Sequence, residues 1–206
     1  MTITKKTLSQ QKHEAIVDAA KRMFKKLGVA ATSMDKLAEE AQVSKRTVYN
    51  HFATKEALVM HLVSELWFEA MASNQGQYQP QQALFSQLSA IILTEIQFMN
   101  SREHIDMARV AIGHLFYNSE EMVREIEKMK QHETAILRWI KAAALDGRIQ
   151  IEDAMFANEQ LLHLIKGQCF WPQILTCNPL LNDQQRQHLA DESAKMFLSR
   201  YQITPA

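Results

Sequence analysis

The 206-residue sequence is short of the residues that punctuate a chain. It has 5 glycines and 4 prolines, and three of the prolines (Pro172, Pro179 and Pro205) fall near its end. All-β folds need a turn signal about every 8–12 residues. The scarcity excludes them and leaves an all-α protein as the expectation. Two cysteines, Cys169 and Cys177, are too few for a disulfide framework. No stretch approaches the roughly 18 consecutive apolar residues of a membrane span. No apolar run follows the first six residues, so no secretory leader and a reduced, cytoplasmic setting are expected. No nucleophile elbow, phosphate loop or paired carboxylates occur, which speaks against an enzyme, and no cofactor is expected.

The formal net charge is also absent, at zero, with 23 Lys and Arg against 23 Asp and Glu. The average conceals an asymmetry. Residues 1–60 carry 11 basic and 6 acidic side chains, a net +5, and residues 61–206 carry 12 and 17, a net −5. A basic first quarter on an acidic remainder points to a polyanionic partner for that quarter alone. All three tryptophans and thirteen of the sixteen aromatics lie beyond residue 60.

Periodicity and capping signals divide the chain into about nine helices. Ser9 is a candidate cap for a first helix to about Leu27, whose apolar stripe is Ile16, Ala20, Met23, Phe24 and Leu27. Gly28 stands where a left-handed residue ends a helix. Ser33 caps a short helix near 34–41, and Ser44 caps another near 45–51. Val43 and Val48 have the spacing of a hydrophobic staple. Thr54 caps a fourth helix to about Ser73. Longer helices follow near 81–100, 103–117 and 119–145, the last opening on a capping-box pattern at 118–121 and closing at Asp146–Gly147. An eighth helix spans about 153–171, where Pro172 must kink or end it, and a last one spans about 183–201.

Two short helices joined by a three-residue turn, after a longer one, make a helix-turn-helix. Neither short helix is stable alone. Met34, Leu37, Ala38, Val43, Val48 and Phe52 supply a small shared core. The remaining surface of the second short helix is Lys45, Arg46, Thr47, Tyr49, Asn50 and His51. Each can donate a hydrogen bond and none is acidic, as a polyanion requires. Ser44 adds free backbone amides at a helix N-terminus. Lys55 opens its helix at the end where the dipole disfavours a cation, a cost that a phosphate would offset.

The stretch Thr32-Ser-Met-Asp-Lys-Leu-Ala-Glu-Glu-Ala-Gln-Val-Ser-Lys-Arg-Thr-Val-Tyr-Asn-His-Phe-Ala-Thr-Lys-Glu-Ala-Leu58 closely resembles the TetR/AcrR family of bacterial transcriptional regulators. The resemblance implies an all-helical homodimer. A helix-turn-helix DNA-binding domain, residues 1–53, would precede a domain for effector binding and dimerisation, residues 54–206. It also implies double-stranded operator DNA as partner, most often with a repressor released by a small molecule. Carried over by position, Ser33, Lys45, Thr47, Tyr49, His51 and Lys55 would grip phosphates or base edges. Arg46, Thr47 and Asn50 are the candidates for base readout. Two positions depart from the family pattern: Gln42 stands where glycine is usual, and Arg46 where a small residue is common.

The acidic region is less specific. Its methionines and aromatics offer Trp67, Met99, Met107, Phe116, Trp139, Phe170 and Trp171 as the lining of an apolar effector pocket. His163, among leucines, reads as a buried hydrogen-bonded residue or a ligand anchor. No pair among His104, His114 and His163 lies at i, i+4, so no metal is expected. Cys169 and Cys177 read as buried apolar thiols, since eight helical residues would hold them about 12 Å apart. The resemblance puts the dimer contact on the last two helices, with Leu161, Leu164, Leu189, Met196 and Phe197 as candidates. Gly167-Gln-Cys-Phe-Trp-Pro172 resembles regulators grouped by an AefR-like C-terminal domain. The alternative to an effector-released repressor is a global regulator that acts by DNA occupancy alone.

Overall fold

The computed structural model describes residues 6–73, 76–115, 127 and 132–203. Among these there are ten helices: α1 (Leu8–Leu27), α2 (Met34–Glu40), α3 (Lys45–His51), α4 (Lys55–Ser73), α5 (Leu84–Met99), α6 (Arg102–Leu115), α7 (Ala135–Leu145), α8 (Ala154–Cys169), α9 (Trp171–Leu175) and α10 (Asp183–Tyr201). The described residues form no strand, and a single isolated bridge joins Ile149 to Gln202. The protein is all-α. No described helix is long and apolar enough to cross a membrane.

Side-chain caps explain most helix starts. Ser33 and Ser44 accept the amides of Lys36 and Thr47, at 3.3 and 3.1 Å, and Thr54 accepts that of Ala57 at 3.1 Å. α1 begins at Leu8, and its cap is Thr7 rather than Ser9. Thr7 Oγ1 accepts the Gln10 amide and Gln10 Oε1 accepts the Thr7 amide, at 3.2 and 2.8 Å. The reciprocal pair satisfies two amides at once, which a lone Ser9 does not. The helix expected over 119–145 is broken. Thr134 takes an extended backbone and its hydroxyl accepts the Leu137 amide, so α7 starts afresh at Ala135. The capping-box pattern at 118–121 lies outside the described residues. The helix expected over 153–171 stops at Cys169, and Pro172 sits in the first turn of the separate α9, the place where its missing N–H matters least.

The described chain divides into two compact units, one of residues 6–66 and 106–115, the other of 67–73, 76–105, 127 and 132–203. In the first, Ile16, Ala20 and Phe24 of α1 meet Leu37 and Ala38 of α2, Val48 of α3, Phe52, Leu58 and Leu62, with Met107 and Ala111 of α6 closing the core. In the second, Leu88, Ile92 and Ile96 of α5 pack with Ile136, Trp139 and Ile140 of α7, Leu161 and Ile165 of α8, and Leu189, Ala194 and Phe197 of α10. Two buried polar side chains there, Trp139 and Asn100, are paired. Trp139 Nε1–H donates to Gln87 Oε1 at 3.3 Å. Asn100 donates to the Cys169 carbonyl at 2.6 Å and accepts the Leu181 amide at 2.8 Å.

Candidate nucleic-acid interface

The turn between α2 and α3 fixes the angle at which α3 leaves the unit. Gln42 adopts φ 55. Its N–H donates to the Glu39 carbonyl at 3.1 Å, and the Val43 N–H donates to that of Ala38 at 3.0 Å. These two bonds are the Schellman cap. Val48, fully buried, anchors α3 to the core. An α1–α2 ion pair, Arg22 Nε to Glu40 Oε1 at 3.1 Å, braces the frame.

With Val48 inward, α3 turns Lys45, Arg46, Tyr49 and Asn50 to solvent, with Thr47 and His51 half-buried at the edges. Thr47 is tied to the Ser44 cap, hydroxyl to hydroxyl, at 2.8 Å. Lys45 Nζ lies 2.6 Å from Asp35 Oδ2 of α2, and this hydrogen bond and charge hold its ammonium above the ordinary lysine range. Lys55 Nζ donates to the carbonyls of Val29 and Thr32, at 3.1 and 3.3 Å. That is a correction to the reading of its position by the dipole argument alone. Two of its three N–H groups already serve loop carbonyls, and this offsets the placement at a helix N-terminus without any phosphate.

Beside α3 an open cleft of about 390 Å³ is lined by Thr32, Ser33, Asp35, Tyr49 and Lys55 together with Ala30, Ala31 and Met34. It gathers three expected site residues, Ser33, Tyr49 and Lys55. Sequence reading missed Asp35, because its partner Lys45 is ten residues away on another helix and no local pattern joins them. It also missed that Thr32 is buried, with its hydroxyl donating to the Gly28 carbonyl at 2.9 Å.

The described effector candidates are divided between the two units. Met107 belongs to the core of the first unit, and Met99 and Trp139 to that of the second. Trp67 is half-buried against Phe68, ring centroids 5.1 Å apart. Phe170 stacks near His104 and Trp171, at 5.8 and 5.0 Å. Phe116 lies outside the described residues. His163 is exposed, which corrects its reading as a buried residue. Leu161 and Ile165 set the inward face of α8, and position 163 falls on the other side. Leu161, Leu189 and Phe197, expected at a dimer contact, are spent in the chain's own core, at 2%, 6% and 5% exposure. Leu164 is half-buried and Met196 exposed.

Ionisable groups are buried in the second unit too. Burial pushes the Glu95 carboxyl up to about 7, against the pull of Lys166. Burial and then Lys166 push His104 down to about 4. Cys169 is buried and Cys177 exposed, which corrects the reading of both as buried. Burial, reinforced by Glu95, pushes the Cys169 thiol up to about 12, far from a reactive thiolate. Among the described residues no group of three or more His, Cys, Asp or Glu is placed to hold a metal ion.

Known proteins resemble this chain in sequence and in fold. Residues 86–203 match the family described as AefR-like transcriptional repressor, C-terminal domain. Residues 16–62 match that described as bacterial regulatory proteins, tetR family. A TetR family transcriptional regulator from Pseudomonas syringae pv. tomato is 35% identical with a TM-score of 0.73, over 96% of this chain and 100% of that one. The regulator AcrR of Shigella flexneri is 35% identical over 89 residues, 43% of this chain and 39% of that protein. FadR of Bacillus subtilis, solved in complex with stearoyl-CoA, shares the fold at a TM-score of 0.65 over 91% of this chain and 98% of that one, with 15% identity. The chain spans 40% and 39% of the length of the first two curated relatives that it matches. With both halves matched, the chain belongs to the TetR family of bacterial transcriptional regulators, and its C-terminal domain is of the AefR-like kind.

Proposed function

We propose that the protein is a homodimeric, sequence-specific repressor that binds operator DNA through α3 and is released by a small apolar or amphipathic effector. The observation that carries the DNA reading is the surface of α3 with the cleft beside it. Lys45, Arg46 and Asn50 stand on one exposed face of a helix anchored by Val48, and Ser33, Tyr49 and Lys55 line a recess beside them. In this reading Arg46, Thr47 and Asn50 face base edges, while Ser33, Ser44, Lys45, Tyr49, His51 and Lys55 face phosphates. Lys45 must exchange Asp35 for a phosphate as it docks. Two heads of a dimer would place their α3 helices in successive major grooves, about 34–36 Å apart.

Repression is supported by the description of the matching C-terminal family. An amphipathic effector is supported by the fold shared with FadR, a protein solved with stearoyl-CoA. Trp67, Phe170 and Trp171, none of them fully buried, are the rings such a molecule would meet in the second unit. Leu164 and Met196 are the dimer candidates whose side chains are not consumed by the core. Control by occupancy alone has one observation in its favour, since Met99 and Trp139 are packed at 4% and 0% exposure.

A thermal-shift screen against amphipathic compounds tests the effector reading. A ligand that raises the melting temperature must also weaken DNA binding by about 5–150-fold, the range that a coupling of roughly 1–3 kcal/mol gives. A stabilising ligand with no effect on DNA affinity, or no stabilising ligand at all, favours occupancy alone.

A further inference from the structure

Three histidines distant in sequence meet in the first unit. His13 lies on α1, His51 is the last residue of α3, and His61 lies on α4. The His13 ring stands edge-on to both others, with centroids 5.5 Å from His51 and 5.1 Å from His61. Phe52 packs among them, 5.1 Å from His13 and 5.4 Å from His61. His13 Nε2 and His61 Nε2 face each other at 3.4 Å. Such a pair is compatible when one nitrogen donates and the other accepts; with both rings protonated neither can accept.

The charged surroundings are unequal. On α4, Glu65 Oε1 lies 3.4 Å from His61 Nε2. The other oxygen of Glu65 lies 3.1 Å from Lys21 Nζ of α1, so its charge is shared. His13 also has Glu14 on its own helix. Burial and then the charge of His61 lower the His13 pKa, against Glu65 and Glu14.

We propose that His13, His51 and His61 form a proton-operated latch that positions α3, closed while the His13–His61 pair holds at most one proton and opened when both rings are charged. The proposal rests on the reading of α3 as the helix that meets DNA. The linkage is short, because His51 adjoins both Asn50, a candidate for base readout, and Phe52, a core residue that touches both other rings. Two charges at 3.4 Å press α1 away from α4 and loosen the seat of Phe52 and His51. His13 prefers its neutral form in the fold, so the latch holds above the ordinary histidine range and weakens as pH falls below it. The direction opposes simple electrostatics, in which protonated histidines add positive charge and strengthen DNA binding.

The test uses the full chain and the duplex recovered by selection from a random-sequence pool at pH 7.5. Fluorescence anisotropy at fixed ionic strength follows affinity down to pH 5.5. Wild type is expected to lose about tenfold, while His61→Gln, which keeps a neutral hydrogen-bonding side chain beside His13, is expected to lose less than about threefold. A second measurement needs no variant: in wild type, NMR amide signals of Val48 and Asn50 should move with the midpoint of the His13 ring. Equal pH dependence in wild type and His61→Gln, or α3 amides that ignore His13, overturns the latch. If wild type recovers no duplex at pH 7.5, the reading of α3 itself falls, and the latch with it.

Discussion

Replacing Gln42 by glycine should make the protein more stable. Gln42 closes the Schellman cap of α2 at φ 55, where a Cβ crowds the backbone at about 1–2 kcal/mol. Glycine removes that strain, but its greater freedom in the unfolded chain returns about 0.4–1 kcal/mol. The balance for Gln42→Gly is a gain of about 0.5–1 kcal/mol. The Gln42 side chain is exposed, so little packing is lost. The same chain supplies a control. At the end of α7 the Gly147 N–H donates to the Ala144 carbonyl and the Arg148 N–H to that of Ala143, both at 3.0 Å, the same pair of bonds. Gly147 has φ 70, and a Cβ there would meet nothing within 4 Å. Gly147→Ala therefore reads the local backbone cost with no clash against the surroundings, and should destabilise by about 1 kcal/mol. In a chain of this size about 1 kcal/mol moves the melting temperature by roughly 2–4 °C. Calorimetry should find Gln42→Gly about 2 °C above wild type and Gly147→Ala about 2–4 °C below. If both variants melt below wild type, the strain argument at Gln42 is refuted.

Two further outcomes follow from the buried and paired charges. Asp35→Asn frees Lys45 and removes a negative charge from the cleft, so DNA affinity should rise, whereas Lys45→Ala should lower it and make the salt dependence shallower by about 0.9 in log–log slope; an unchanged slope in Lys45→Ala would show that Lys45 does not reach a phosphate. Glu95 has its folded pKa raised to about 7, so its burial is tolerated while protonated and the penalty grows as pH rises from the ordinary glutamate range to about 7. Glu95→Gln should therefore leave stability near pH 4.5 nearly unchanged, raise it at pH 8 by roughly 3 kcal/mol, and flatten the profile between; a variant that melts lower at pH 8 would contradict this.

What could be read from the sequence was what local chemistry decides. Ser33, Ser44 and Thr54 each cap a helix from within a few residues, so the boundaries of α2, α3 and the start of α4 were legible. Thr7 was overlooked because its advantage over Ser9 lies in the reciprocal bond from Gln10. The break before α7 carries neither glycine nor proline, and only the Thr134 cap marks it. The outward surface of α3 was legible because one buried side chain, Val48, determines which others face outward. Pairings across helices were not. Asp35 with Lys45, Lys55 with the Val29 and Thr32 carbonyls, and the three histidines each depend on how helices pack. For the same reason Leu161, Leu189 and Phe197 showed an apolar face without showing what it meets, and it meets the chain's own core.

In the proposed reading α3 reads bases through Arg46 while the side chains beside it grip the backbone. Selection from a random duplex pool by wild type, Arg46→Ala and Lys55→Ala tests it most directly. Wild type is expected to yield a near-palindromic consensus, with half-sites about one helical turn apart. Arg46→Ala should yield a consensus that loses its preference at one position per half-site, and Lys55→Ala the wild-type consensus at lower affinity. Recovery of one and the same consensus by both variants, equally weakened, would contradict it.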